Sequence, residues 1–140
     1  RVPRAFLEEL ESNNLAMGSY NLPDWEESRK GFHRLLESLF KLTPPTALIV
    51  EEPALFTAVL RFLAGRGIKI PEDISLICLD PNQNFHWCES PTAHIHWDIR
   101  NIGRSVVRWA SDVSLGKATI RQTKFAAKFI EGGTVGPAPK

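Results

Sequence analysis

Three side chains suited to polar recognition stand where two apolar runs end. Glu51 and Glu52 follow Thr46-Ala47-Leu48-Ile49-Val50, and Asp80 follows Ile74-Ser75-Leu76-Ile77-Cys78-Leu79. Ionised carboxylates accept strong, directional hydrogen bonds, so two strand ends that finish in carboxylates point to a polar ligand. The alternative is that all three are solvated charges favouring the N-termini of nearby helices. Phe85-His86-Trp87 forms an apolar cluster in an otherwise polar loop, which suits either a contact with a partner or a loop folded back on its own core. His94 and His96 are two apart in a strand-like segment and face the same side, a geometry a metal accepts, with His86 and Cys88 nearby in sequence. No Cys-x-x-Cys or His-x-x-x-His pair accompanies them, so we read no metal site. The chain also lacks Gly-x-Gly-x-x-Gly, Gly-x-x-x-x-Gly-Lys-(Ser/Thr) and Gly-x-Ser-x-Gly. Adjacent Glu51 and Glu52 cannot approach one substrate atom from two sides. Neither an enzyme nor a cofactor is expected.

The elements that must position these residues follow from apolar spacing. Phe6, Leu7 and Leu10 mark a short amphipathic helix over residues 4–13, ended by Asn13-Asn14. Leu15 to Leu22 reads as a small extended stretch. Asp24 reads as the N-cap of a helix from Trp25 to about Leu42, carrying Phe32, Leu35, Leu36, Leu39 and Phe40 and stopped by Pro44-Pro45. Residues 46–50 are a continuous apolar run, the pattern of a strand buried on both faces of a parallel sheet. A helix from Pro53 with Gly65 and Gly67 at its end, a second apolar strand over 74–79, and a loop over 81–92 follow. Then come a strand over 93–97, a helix from about Ile99 to Leu115 closed by Gly116, and an alternating strand over 125–131 before a glycine-rich tail. This order defines an α/β fold built on a parallel sheet, in which ligands bind beyond the carboxyl ends of the strands.

Composition narrows the function. Seventeen basic and sixteen acidic residues leave a formal charge of +1, too little surplus to hold a polyanion without specific contacts. Two cysteines make no disulfide framework, and no apolar run approaches the ~20 residues that cross a bilayer. Nor does the N-terminal sequence carry a signal-peptide core, so a cytoplasmic location is expected, with no membrane partner. The absence of an initiator Met suggests a fragment of a longer chain.

The segments Thr46 to Leu55, Gly67-Ile68-Lys69-Ile70-Pro71-Glu72-Asp73-Ile74-Ser75 to Asp80, and Ser90-Pro91-Thr92-Ala93-His94-Ile95 together resemble the C-terminal half of effector domains in LacI/GalR-type transcription regulators. The likeness is ungapped from about Ala47 to Asp98, and Ile70-Pro71-Glu72-Asp73-Ile74-Ser75 is its most specific piece. It implies a Rossmann-like, type I periplasmic-binding-protein-like fold of two subdomains, with this chain as the C-terminal portion. Residues 1–94 and 119–140 would form the C-terminal subdomain, and 95–118 a crossing segment that belongs to the other one. It also implies a non-enzymatic sensor for a small polar effector, most simply a carbohydrate, acting as a homodimer and reaching DNA only through a head absent from this chain. A solute-binding protein for transport is the alternative with the same fold. Asp80 matches the aspartate that accepts hydrogen bonds from effector hydroxyls. Glu52 stands where the family has Asn, and Pro53 where it has Asp. The resemblance further places Trp97 and Trp25 in the effector cleft, where an indole can stack on a sugar ring; Trp25 suits a staple at a helix start equally well. It places Phe85, His86, Trp87 and, on the helix from Pro53, Phe56 and Leu60 against the partner subunit.

Overall fold

The 53–64 segment alternates apolar residues at helical spacing behind a proline whose fixed φ suits a first turn, and it forms a helix whose Phe56, Val59, Phe62 and Leu63 are buried. In the computed structural model, which describes residues 2–117 and 122–138, the elements are α1 (Val2–Ser12), α2 (Arg29–Leu42), β1 (Ala47–Val50), α3 (Pro53–Ala64), β2 (Ser75–Cys78), a 3₁₀ turn (Gln83–Trp87), β3 (His94–His96), α4 (Ile99–Ser114) and β4 (Lys128–Ile130). The chain divides into two compact units, residues 1–45 and 46–140.

The second unit holds the sheet, in the order β1-β2-β3-β4. β1, β2 and β3 run parallel, and β4 is antiparallel to β3. The fold is therefore the expected α/β one, with a mostly parallel sheet. α3 packs on β1. Phe56, Leu63, Ile74, Leu76, Val59 and Cys78 are the largest fully buried side chains of the core. β1 departs from the expectation of a strand buried on both faces. Val50 is buried, but Ile49 is 47% exposed, because β1 is an edge strand of the described sheet and side chains alternate between its faces.

Three helices end in the same way. Asn14, Gly67 and Gly116 have φ of 54°, 69° and 68°. Around each, the next N–H reaches back five residues: Leu15 to Leu10, Ile68 to Leu63 and Lys117 to Asp112, at 3.0, 3.1 and 2.9 Å. This Schellman arrangement satisfies the last carbonyls and favours glycine or asparagine at the left-handed position. α2 instead stops before Pro44-Pro45.

In the first unit, α2 starts later than its apolar pattern suggests. Its N-cap is Ser28, whose hydroxyl accepts from the Gly31 N–H at 3.0 Å, and not Asp24. Residues 24–28 fold back over the first turn, so that a Cβ on Gly31 would lie 2.1 Å from the Glu26 carbonyl oxygen. Glu26 also accepts from Ser28 Oγ at 2.8 Å and pairs with Arg34. The expected extended stretch at 15–22 is not a strand; Asn21 closes a turn there, accepting from the Gly18 N–H at 2.7 Å.

Leu63 is fully buried, so Leu63→Ala should cost about 2–5 kcal/mol. A lower urea midpoint with an unchanged slope is the expected result.

Candidate functional site

Parallel strands deliver their last residues to one edge, and here the register says which residues meet. Val50 pairs with Cys78, and Cys78 with His94. Two residues beyond that line stand Glu52, Asp80 and His96, with Lys128 of β4 registered opposite His96. Trp97 follows directly. The sheet thus gathers Glu52, Asp80 and Trp97 along its carboxyl edge, the place where ligand sites form in such folds. Asp80 and Trp97 are half-buried, while Glu51 and Glu52 are exposed. Lys128 is absent from the sequence-based set: the 125–131 pattern pointed to a strand but not to its register.

Asp80 is set against the core by its neighbour two residues back. Burial pushes the Cys78 thiol above its ordinary value; the Asp80 backbone N–H works the other way, and the Asp80 charge adds a smaller upward push. Glu52 is the N-cap residue of α3 but makes no side-chain capping bond. Asp98 does act as a cap, accepting from the Arg100 and Asn101 N–H groups at 3.0 and 3.3 Å at the start of α4.

The remaining candidates stand on other segments of the chain. Trp25 belongs to the first unit, where its ring sits 5.2 Å from that of Phe32. It lines a concavity of about 470 Å³ together with Tyr20, Asp24, Glu26, Arg34 and Leu39. His94 is half-buried, its Nδ1 2.8 Å from the Thr92 carbonyl and its ring 5.5 Å from Phe85. Among the described residues, no group of three metal-binding side chains stands together.

The 81–92 loop contains the 3₁₀ turn, capped by Asn82, which accepts from the Asn84 N–H at 2.8 Å. Phe85 points inward, its ring 5.4 Å from that of Phe56. Trp87 is 84% exposed beside exposed His86. Within the cluster Phe85 folds back on the core, and Trp87 faces solvent. Phe56, 1% exposed, is a core residue and is corrected from the expected interface set, since the inward side of α3 buries it. Leu60 is half-buried.

In mostly parallel α/β sheets of this kind, ligands bind beyond the carboxyl ends of the strands. Residues 1–135 match the family described as periplasmic binding protein-like domain, and the chain belongs to that family. Among solved structures, it is similar to a LacI family transcriptional regulator from Enterococcus faecium with bound ribose, at TM-score 0.79 and 18% identity, covering 94% of this chain and 49% of that one. The transcription regulator CcpA of Lactococcus lactis aligns at TM-score 0.76 and 16% identity, over 94% and 48%. A LacI family regulator from Lactobacillus casei with bound sucrose aligns at 0.72 and 18%, over 94% and 50%. The chain spans about half the length of these structures. A search of curated protein sequences finds no match.

The two thiols should separate cleanly in a native titration, since Cys78 is buried and Cys88 exposed. One equivalent of an aromatic disulfide reagent should react at once and the second only on unfolding. The raised Cys78 value also means that the folded chain keeps a proton which the unfolded chain releases. Its contribution is present at neutral pH and is lost as pH rises past the ordinary thiol range, so Cys78→Ala should flatten the alkaline fall in melting temperature.

Proposed function

We propose that this chain is the C-terminal portion of the ligand-sensing domain of a bacterial transcription regulator, and that it binds a small polar effector, a sugar or related metabolite, at the sheet edge bearing Asp80. The observation that carries this is the convergence of Asp80, Glu52 and Trp97 on the carboxyl edge of three parallel strands, in a chain of the periplasmic binding protein-like family. Asp80 accepts hydrogen bonds from effector hydroxyls and Trp97 offers a ring face. The solved relatives carrying ribose and sucrose support a sugar-like effector. That all three named relatives are transcription regulators favours regulation over solute transport or catalysis, and with it a cytoplasmic location. Among the described residues, no helix is long and apolar enough to cross a membrane.

The effector site has a second wall in this reading. α4 carries Ile99, Val106, Val107, Trp109 and Val113 exposed, an apolar stripe that needs cover. In this reading residues 95–118 are a crossing segment that starts in β3 of the sheet, leaves it after His96 and continues through α4 onto a second subdomain, while 1–94 and 119–140 belong to the C-terminal subdomain; the boundary at 118/119 lies outside the described residues. The effector bridges the two subdomains and stabilises one relative orientation, and a homodimer passes that difference to a DNA-binding head. Trp87, with His86 and Leu60, forms the dimer surface.

Calorimetry of the intact protein with a sugar panel that includes ribose and sucrose tests the effector site. Loss of a charge-assisted hydrogen-bond acceptor in Asp80→Ala should weaken binding about 10- to 100-fold. Trp97→Ala should weaken it too. If no sugar binds, or Asp80→Ala binds as the parent does, the assignment fails.

For the dimer, Trp87→Asp removes an aromatic anchor and adds a charge, which should raise the dimer dissociation constant at least roughly 30-fold. Sedimentation equilibrium reads this directly, and an unchanged constant removes the 3₁₀ turn from the interface.

A further inference from the structure

Residues 132–136 look like plain loop in the sequence, yet they are threaded into the sheet where β3 begins. β3 meets β2 through a single registered pair, Cys78 with His94, where the Cys78 N–H donates to the Ala93 carbonyl at 3.0 Å. On the N-terminal side of that pair, the tail enters between the two strands. The Leu76 N–H donates to the Thr134 carbonyl at 2.7 Å. The Thr134 hydroxyl donates to the Leu76 carbonyl at 2.7 Å and accepts from the Ala93 N–H at 2.9 Å. Thr134 is 8% exposed, and its one hydroxyl bridges β2 to the residue immediately before β3. Gly133 N–H donates to the Pro91 carbonyl at 2.7 Å. A Cβ on Gly132 would lie 2.4 Å from that same oxygen, so this close approach needs glycine. The knot also holds the exit of β4, whose Ile130 pairs with His94.

The geometry assigns Thr134 the part of a positioning residue: it clamps the base of β3 and the exit of β4 onto β2, and so sets where Trp97 stands along the sheet edge from Asp80. The consequence for effector binding rests on the function proposed above. The clamp does not, because it is made of the protein's own backbone. A hydroxyl is needed there because Leu76 offers an acceptor and Ala93 a donor at one point; valine has the same shape and meets neither. A buried amide stripped of its acceptor opens more readily.

Hydrogen exchange on the intact protein without ligand tests this, comparing the parent with Thr134→Ser and Thr134→Val. In the parent, the Ala93 amide should be protected as strongly as that of Cys78; free exchange at Ala93 overturns the clamp without any variant. Thr134→Ser should stay within about twofold of the parent, whereas Thr134→Val should exchange roughly tenfold faster or more across 91–97 and 128–133, with α3 unchanged. With Trp25, Trp87 and Trp109 replaced by Phe, acrylamide quenching of Trp97 should rise in the Val variant alone. A uniform acceleration over the whole second unit, a change confined to 133–136, or a Ser variant that behaves like Val overturns the proposal. Sugar binding reports separately: a silent sugar panel with this exchange pattern intact removes the effector reading and leaves the clamp, while unaltered exchange in the Val variant removes the clamp whatever the sugars do.

Discussion

The backbone of β2 must find hydrogen-bond partners on both flanks, and the segments it recruits decide where the site residues stand. On one flank β1 runs in register along all four residues, extended by the Ser75 N–H to the Thr46 carbonyl and the Leu79 N–H to the Val50 carbonyl at 2.9 and 2.8 Å. On the other, β3 is registered only at its first residue, with Ala93 just before it accepting from the Cys78 N–H, and Thr134 of the C-terminal tail partners Leu76. An unpaired N–H or C=O on so buried a strand would cost about 1–3 kcal/mol, which is reason enough for a distant segment to be drawn in. Asp80 continues this strand, so its place at the sheet edge is inherited from those bonds.

α4 shows the opposite balance of local and tertiary forces. It is 16 residues long with no buried residue, near the length at which isolated helices are marginal in water. What sustains it is local: the Asp98 cap at one end and the left-handed Gly116 turn at the other. Helix formation and burial are therefore separable here. The apolar stripe expresses a surface made to be covered, and so do Phe125 and Phe129, also exposed. The crossing segment proposed above is one source of that cover.

Much of this architecture was legible in the sequence because it is encoded locally. Helical spacing in 53–64, the apolar runs of β1 and β2, and the residues that terminate α1, α3 and α4 each carry their own signal, and the order of elements selects the parallel sheet. What escaped was non-local. Ser28 displaces Asp24 as a cap because Gly31 lets residues 24–28 fold back, a packing choice that helical periodicity does not register. Helical spacing puts Phe56 and Leu60 alike on the inner side of α3, but it does not tell that Phe56 is buried against Phe85 while Leu60 is only half-buried. Thr134 sits among glycines and reads as loop, because its partners, Leu76 and Ala93, are far away in the chain. For the candidate site, strand ends were readable as a shared edge, whereas the matching of His96 with Lys128 depends on a register that alternation leaves open.

The distribution of the candidate residues bears on how such a site could report a ligand. Asp80 stands on β2, held by β1 on one side and by the tail on the other. Trp97 lies past the last registered residue of β3, with Asp98 capping α4 immediately after it. One group is thus tied to the rigid sheet, and the other to the segment that leads away into an uncovered helix. On the function proposed above, a ligand that touches both acts at the short stretch between His96 and Asp98, which follows the last registered residue of β3. It can bias that stretch only through a difference in affinity between its orientations. A carboxylate and an indole supply such a difference, because a directional hydrogen bond and a ring face are both lost when their separation changes by an ångström or so. The stiffness of the base at Ala93 then matters as much as the contacts themselves: a strand free to slide at its root would absorb the ligand's pull locally and pass nothing on to α4.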